Sequence, residues 1–234
     1  MPGQHSSAMP MRQWQAHRPA PMCNLVLSWN YREGSNATTI WRTGQDGSNP
    51  VQLTHGKADV GAICSPDGQW AYYGDLVTLR LTRVPLAGGN AEMVPRTEVP
   101  DGFAAGPGVL SRDGKLLAFL AWVNAPEATS IVIQRIALVD LGSGQPTRFL
   151  DADHRNSSRS PQFAPDGKAV VYPVRENGVD NLWYQPLDGS KGHQMTNFSS
   201  EQIAGFAWSP DGKTLGVLRG QTESDVVLLR QSQP

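Results

Sequence analysis

Residues 207–218 read AWSPDGKTLGVL, with Pro, Asp and Gly in a row between two short apolar runs. Proline presets φ at the first corner of a turn, aspartate tolerates the second corner, and glycine adopts the positive φ that closes it. The stretch therefore predicts a tight turn between two β-strands. Whether this hairpin stands alone or belongs to a larger architecture decides the fold.

The same turn occurs four times along the chain. It begins at Ser65, Ser111, Ala164 and Ser209, so the spacings are 46, 53 and 45 residues. Arg112 replaces the proline in the second copy, but the Asp-Gly pair that follows keeps the turn signal. A nearly fixed period in this range is typical of repeat architectures.

Each copy of the turn lies between two apolar runs of strand length. The runs that follow are WAYYG (70–74), LLAFLAW (116–122), AVVYPV (169–174) and TLGVL (214–218). A glycine turn and a short closing strand end each complete unit: VQLT (51–54), AEMV (91–94), TRFL (147–150) and HQMT (193–196). One unit therefore has four antiparallel strands in about 45 residues, which is the blade of a β-propeller. A β-sandwich would not repeat its turn sequence four times, and no window has the 3.6-residue period of a helical solenoid.

We expect an all-β propeller of about five four-stranded antiparallel blades over residues 23–234, in a closed or an incomplete ring. Its units lie near residues 11–55, 56–96, 97–152, 153–198 and 199–234. Residues 1–22 are rich in Pro, Gln, His and Ser and predict a disordered or poorly ordered lead-in. Residues 20–24 are interpreted as a degenerate first turn. Because residues 1–10 make a poor strand with which to close the last blade, the sequence favours the C-terminal part of a longer propeller over a poorly closed ring.

Composition argues against several classes of function. The net charge is −1 and no basic stripe is visible, so nucleic acid is not an expected partner. No apolar run approaches the roughly 18 residues that span a membrane, and the N-terminus lacks the apolar core of a signal peptide. The two cysteines, Cys23 and Cys64, make neither a disulfide framework nor a metal cluster. Two free thiols are expected, and the alternative is a bond between them if the fold brings them together.

Three stretches carry a resemblance to a known family. Residues 46–73 (DGSNPVQLTHGKADVGAICSPDGQWAYY) and 163–198 resemble the WD-like repeats of TolB-type β-propellers. Residues 207–229 look like the end of a subset in which the propeller follows a bacterial serine/threonine kinase domain or a winged-helix DNA-binding domain, through a membrane helix. The chain has no Gly-rich loop, HRD or DFG motif of a kinase, and no N-terminal α/β domain as in TolB. The resemblance implies a sensor or protein-interaction module that faces outside the cytoplasm in its full-length relatives, and hence a periplasmic or extracytoplasmic location.

The sequence offers little catalytic chemistry. The five histidines form no metal-binding motif, and no Gly-x-Ser-x-Gly nucleophile elbow is present. The turn aspartates recur at equivalent positions of the repeat, which indicates a structural role. We therefore expect no catalytic residue, no metal and no cofactor. Trp41 and Trp183 occupy the same place in their units, which favours packing between blades.

Ligands of propellers usually contact the loops that connect the fourth strand of one blade to the first strand of the next. Three such connections are polar and outside the repeat pattern: HGKAD (55–59), DADHRNSSRS (151–160) and NFSSEQ (197–202). The candidate binding residues in them are His55, Asp59, His154, Arg155, Asn156, Arg159 and Glu201. The alternative for each connection is an ordinary solvated loop.

Two functions fit these observations. The first is a non-catalytic scaffold that binds a protein or peptide, as the sensor module of a bacterial signalling receptor would. The second is a hydrolase or lyase with its site at the propeller channel. Carboxylates, histidine and arginine that converge on one channel mouth would favour the enzyme, whereas a broad rim of polar and apolar residues would favour binding. The sequence favours the scaffold.

Overall fold

The structure is a computed structural model, and it describes residues 25–31, 37–95, 97, 102–104, 108–124, 132–142, 148–150, 160–209 and 211–221. The lead-in predicted for residues 1–22 lies outside these ranges. Within them the chain forms five antiparallel sheets and no helix. Each sheet occupies one stretch of sequence, and we number the sheets as blades 1 to 5 in chain order.

The first two blades are built from seven strands. Blade 1 contains β1 (Leu25–Tyr31), β2 (Thr38–Gly44) and β3 (Val51–Gln52). Blade 2 contains β4 (Asp59–Cys64), β5 (Trp70–Asp75), β6 (Arg80–Pro85) and β7 (Glu92–Met93). Strands adjacent in sequence are adjacent in each sheet, because short turns can join only antiparallel neighbours.

The other three blades continue the pattern. Blade 3 contains β8 (Gly102–Ala104), β9 (Val109–Leu110), β10 (Leu116–Asn124), β11 (Val132–Asp140) and β12 (Arg148–Phe149). Its first strand is divided, since β8 and β9 both pair with β10. Blade 4 contains β13 (Gln162–Phe163), β14 (Ala169–Glu176), β15 (Val179–Pro186) and β16 (His193–Gln194). Blade 5 contains β17 (Gln202–Trp208) and β18 (Leu215–Gly220).

The hydrophobic core lies between neighbouring blades. Four clusters of buried side chains join blades 1 and 2, 2 and 3, 3 and 4, and 4 and 5 in turn. Tyr172 in β14 and Phe119 in β10 are fully buried in two of them. Trp183 packs at the edge of the cluster between blades 3 and 4. Burial on both faces explains why the second strands of blades 2 to 4 read as continuous apolar runs.

The fold class predicted from the repeat is confirmed. The described residues are all-β, the sheets are antiparallel with up to five strands, and each predicted turn joins the first and second strands of its sheet. Blade 5 has two strands among the described residues, so its sheet is open on one side. An open sheet at one end agrees with the expectation of an incomplete ring.

The expectation of two free thiols is wrong. Cys64 is disulfide-bonded, and no cysteine in the described ranges is free. Cys23, the one other cysteine of the sequence, lies outside those ranges. The expectation rested on the lack of a disulfide framework in the sequence, and a single bridge depends on which residues the fold brings together. Cys64 directly precedes the turn of unit 2, and Cys23 falls in the degenerate turn assigned to unit 1.

Candidate binding face

The aspartates of the repeated turns serve the turns themselves. In blade 2 the Ser65 hydroxyl donates to Asp67 Oδ1 at 2.5 Å, and the Trp70 N–H donates to Ser65 Oγ at 2.9 Å. Asp67 Oδ1 also accepts from the Gln69 N–H at 3.0 Å. These hydrogen bonds, the serine hydroxyl first, lower the pKa of Asp67. Bonds within the turn thus favour the ionised form of the Asp67 carboxylate, which makes it unsuited to donate a proton at neutral pH.

The same serine–aspartate arrangement recurs in blades 3 and 5. Ser111 donates to Asp113 Oδ1 at 2.6 Å, and Ser209 donates to Asp211 Oδ1 at 2.5 Å. The serine hydroxyl is again the largest cause of a lowered pKa at both aspartates. Repetition at equivalent positions with equivalent geometry marks a structural device.

The connection over residues 55–59 is held between blades 1 and 2. The Lys57 carbonyl accepts from the Thr38 N–H at 3.2 Å, and the Ala58 carbonyl accepts from the Leu76 N–H at 3.0 Å. His55 is exposed, whereas Asp59 is buried and accepts from the Gly56 N–H at 3.1 Å. Asp59 therefore fixes the shape of the connection, and His55 is free to face a partner.

Burial also changes the pKa of Asp59 and of the neighbouring Tyr73. Desolvation raises the pKa of Asp59 above its ordinary value. Tyr73 is buried in β5, and its pKa is raised mainly by burial and further by the negative charges of Asp59 and Asp75. Its hydroxyl stays protonated at neutral pH. Burial of Asp59 and Tyr73 thus favours the neutral form of both side chains.

The hairpin between β5 and β6 ends in three exposed apolar side chains, which we call the apolar tip: Leu76, Val77 and Leu79. Their exposed fractions are 45%, 61% and 44%. Asp75 shapes the hairpin by accepting from the Val77 N–H at 2.9 Å and from the Thr78 hydroxyl at 2.8 Å. The Leu76 N–H bond to Ala58 ties the apolar tip to the 55–59 connection, so the two form one surface.

The equivalent hairpin of blade 4 has a different tip. It turns through Asn177 (φ 50°) and Gly178 (φ 81°), a polar pair that takes positive φ readily. In blade 2 the positive φ falls on Leu79, at 56°. A branched apolar residue in this conformation is strained. The repeat thus tolerates a polar tip, and the apolar one in blade 2 is a departure from it.

The connection over residues 197–202 contains the other described candidate. Glu201 is exposed and has φ 67°, and its carbonyl accepts from the Asp180 N–H at 3.1 Å. Its carboxylate lies 3.4 Å from the Arg219 guanidinium. Arg219 also stacks over the Phe198 ring, with 3.8 Å from its guanidinium carbon to the ring centroid. Glu201 is thus anchored through its backbone and paired at the surface.

A cavity of about 1200 Å³ opens at the other end of the first strands, where the repeated turns lie. Its walls come from blades 2 to 5, and the described residues that line it are mainly apolar. Arg112 is the single charged residue among them, and they include no carboxylate or histidine. No group of three or more His, Cys, Asp and Glu able to hold a metal is found in the described part of the chain.

Comparison with known proteins bears on the fold. No protein-family model matches the chain, and no curated protein matches it. Among solved structures, TolB from Acinetobacter baumannii is 20% identical with a TM-score of 0.65, over 82% of this chain and 46% of that one. The fold is a TolB-like β-propeller.

Other propellers of similar fold are enzymes. An oligogalacturonate lyase from Vibrio parahaemolyticus is 19% identical with a TM-score of 0.64, over 87% of this chain and 59% of that one. A puromycin hydrolase is 19% identical with a TM-score of 0.60, over 88% of this chain and 36% of that one. The chain spans less than two thirds of the length of each of these three proteins. At such identity the likeness concerns fold alone.

The described part of the TolB-like propeller contains three of the seven predicted binding residues. His154, Arg155, Asn156 and Arg159 lie outside the described residues. His55 and Asp59 share one connection, and Glu201 belongs to another. The apolar tip was missed from the sequence. Comparing the units would have found it, since residues 75–80 (DLVTLR) stand where the fourth unit has ENGVD (176–180).

Proposed function

We propose that this propeller is a non-catalytic scaffold that binds a protein or peptide at the surface formed by the 55–59 connection and the apolar tip. The observation that carries the proposal is the exposure of Leu76, Val77 and Leu79 on a hairpin bonded to a polar connection. Apolar anchors within a polar rim are the usual composition of a protein interface.

Glu201, the candidate residue of the other described connection, extends this surface. In a propeller all connections from a fourth strand to the next first strand lie at the same end of the first strands. Glu201 would then lie at the same face as the apolar tip, and the part of His154, Arg155, Asn156 and Arg159 in binding stays a prediction. Charged residues there would set the orientation and rate of association more than its affinity.

An enzyme is the second candidate, since a lyase and a hydrolase have propellers of similar fold. Their chemistry belongs to those proteins, and this chain would need its own converging acid, base or metal ligands. The described lining of the cavity offers one arginine and no carboxylate or histidine. The described aspartates of the turns are committed to hydrogen bonds in the turns. These observations favour the scaffold.

We also propose an extracytoplasmic location. Disulfides persist in oxidising compartments, and Cys64 is disulfide-bonded. In the described ranges no helix is long and apolar enough to cross a membrane. The resemblance of residues 207–229 to propellers that follow a kinase or winged-helix domain supports a role as a sensor module. The genomic sequence upstream would test that role, since an in-frame domain of either kind is expected and a stop codon would contradict it.

The binding surface is tested by partner capture with matched variants. Tagged wild-type protein and the Leu76→Asp/Val77→Asp variant are incubated with extracts of the source cells, and retained proteins are quantified by mass spectrometry. Removing two apolar anchors at about 1–2 kcal/mol each should lower retention of a specific partner at least tenfold. The matched control, Asn177→Asp, alters the equivalent hairpin of blade 4 and should retain the partner. Equal retention by all three proteins, at unchanged melting temperature, would overturn the proposal.

A further inference from the structure

The repeated turns contact one another from blade to blade. A Cβ added at Gly212 would lie 2.7 Å from Pro165 Cβ, and one added at Gly114 would lie 3.3 Å from Pro66 Cδ. The proline of each turn thus packs against the glycine of the next. At Gly167 an added Cβ would meet nothing within 4 Å, because the preceding turn has Arg112 in place of proline.

The Arg112 side chain does not take over the contact that proline makes in the other turns. It is exposed and forms no hydrogen bond or ion pair with the described residues. The carboxylate beside it, Asp113, is bonded to the Ser111 hydroxyl and to the Lys115 N–H. An unpaired guanidinium is therefore available at the mouth of the cavity.

The cavity behind Arg112 combines apolar walls with free strand edges. Apolar side chains from three blades line it: Val109, Leu110, Phe163, Phe206 and Val217. The strands β13 and β17, which also line it, each pair with one partner in the described part of the chain. Their other edges offer backbone N–H and C=O groups that an extended chain can bond.

We propose that this cavity binds an apolar peptide segment whose C-terminal carboxylate pairs with Arg112. A guanidinium bonds a carboxylate through two parallel N–H donors, which is stronger than a neutral hydrogen bond. Apolar walls favour apolar side chains, and the free strand edges favour a peptide backbone over an acyl chain. This site lies at the opposite end of the first strands from the apolar tip, so it is independent of the binding surface proposed above.

The site is tested with peptides that differ only in terminal charge. The probe is a pool of N-acetylated pentapeptides of Ala, Val, Leu and Phe, made with a free carboxylate and, in a second pool, with a C-terminal amide. Immobilised wild-type protein should retain carboxylate peptides about tenfold more than their amides, as expected for one hydrogen-bonded charge pair.

Matched variants test whether the Arg112 side chain causes the preference for carboxylate peptides over amide peptides. Arg112→Pro restores the residue of the other turns, and Arg112→Gln keeps a polar side chain if the proline variant fails to fold. Both should retain the two pools equally. The control Lys115→Gln removes an exposed cation three residues away that does not line the cavity, and it should discriminate as the wild type does.

Three results would overturn the proposal. The first is equal retention of carboxylate and amide peptides by the wild type, or no retention of either pool. The second is discrimination that persists in both Arg112 variants. The third is displacement by dodecanoate of all retained material at lower concentration than any peptide requires, which would identify an acyl chain as the occupant.

Discussion

Two glycines of the repeated turns provide a matched test of blade-to-blade packing. Gly167 and Gly212 have nearly the same backbone conformation, at φ 68° and 72°. Alanine in this left-handed region costs roughly 1–2 kcal/mol at either position. At Gly212 the new Cβ would also lie 2.7 Å from Pro165 Cβ, whereas carbon atoms separate by about 3.5–4.0 Å at contact. Overpacking of this kind costs a further 1–3 kcal/mol, roughly.

The free energy of unfolding should therefore fall by about 1–2 kcal/mol in Gly167→Ala and about 2–5 kcal/mol in Gly212→Ala. Urea unfolding followed by tryptophan fluorescence measures both, provided that the slope with denaturant stays constant. The Arg112→Pro background supplies the missing contact, so Gly167→Ala should become more costly there. Equal losses in the two single variants, or strict additivity with Arg112→Pro, would refute the packing of proline on glycine.

Three further predictions concern single interactions. Asp180 is fully buried and accepts two hydrogen bonds from Arg175, at 2.7 and 3.0 Å. The free energy of unfolding, measured in urea, should fall by about 2–4 kcal/mol in Asp180→Asn. A fall below about 1 kcal/mol would contradict the importance of this pair. The pKa of Asp67, measured by NMR, should rise towards its ordinary value in Ser65→Ala, because the hydroxyl bond is the main cause of its lowering. A carboxyl whose pKa is lowered on folding stabilises the fold at pH values above its unfolded pKa of about 4, and this stabilisation is lost as the pH falls through the folded pKa. The stability advantage of the wild type over Ser65→Ala should therefore be constant near neutral pH and shrink below about pH 4; an advantage that does not change with pH in that range would count against it. Native protein should show no reactive thiol and should lose about 2–4 kcal/mol of stability on reduction of the Cys64 disulfide, and a titratable thiol without reductant would disprove the bridge.

The repeat explains why so much of the fold could be predicted from the sequence. The turn residues report local backbone conformation directly, because Pro, Asp and Gly each restrict or permit particular φ values. Four copies at similar spacing then imply equivalent blades. The second strands β5, β10, β14 and β18 begin within one residue of the apolar runs that predicted them.

The candidate surfaces were harder to predict. Leu76, Val77 and Leu79 were not among the predicted binding residues. Comparing the units shows that they depart from the repeat, but their exposure appears only when the hairpin is placed. Arg112 read as a tolerated substitution, since the Asp-Gly pair kept the turn. Its significance depends on the neighbouring blade, where Gly167 lacks the proline contact that Gly114 and Gly212 have.

By itself, the sequence determined the all-β class, the positions of the turns and the commitment of their aspartates to structure, because each depends on residues close together along the chain. The tertiary structure alone decided the state of Cys64, the unpaired guanidinium at the cavity mouth and the joining of the apolar tip to the 55–59 connection. These features arise where different blades or hairpins meet. Contacts between segments distant in sequence form when the blades stack, so they cannot be predicted from the local periodicity of the sequence.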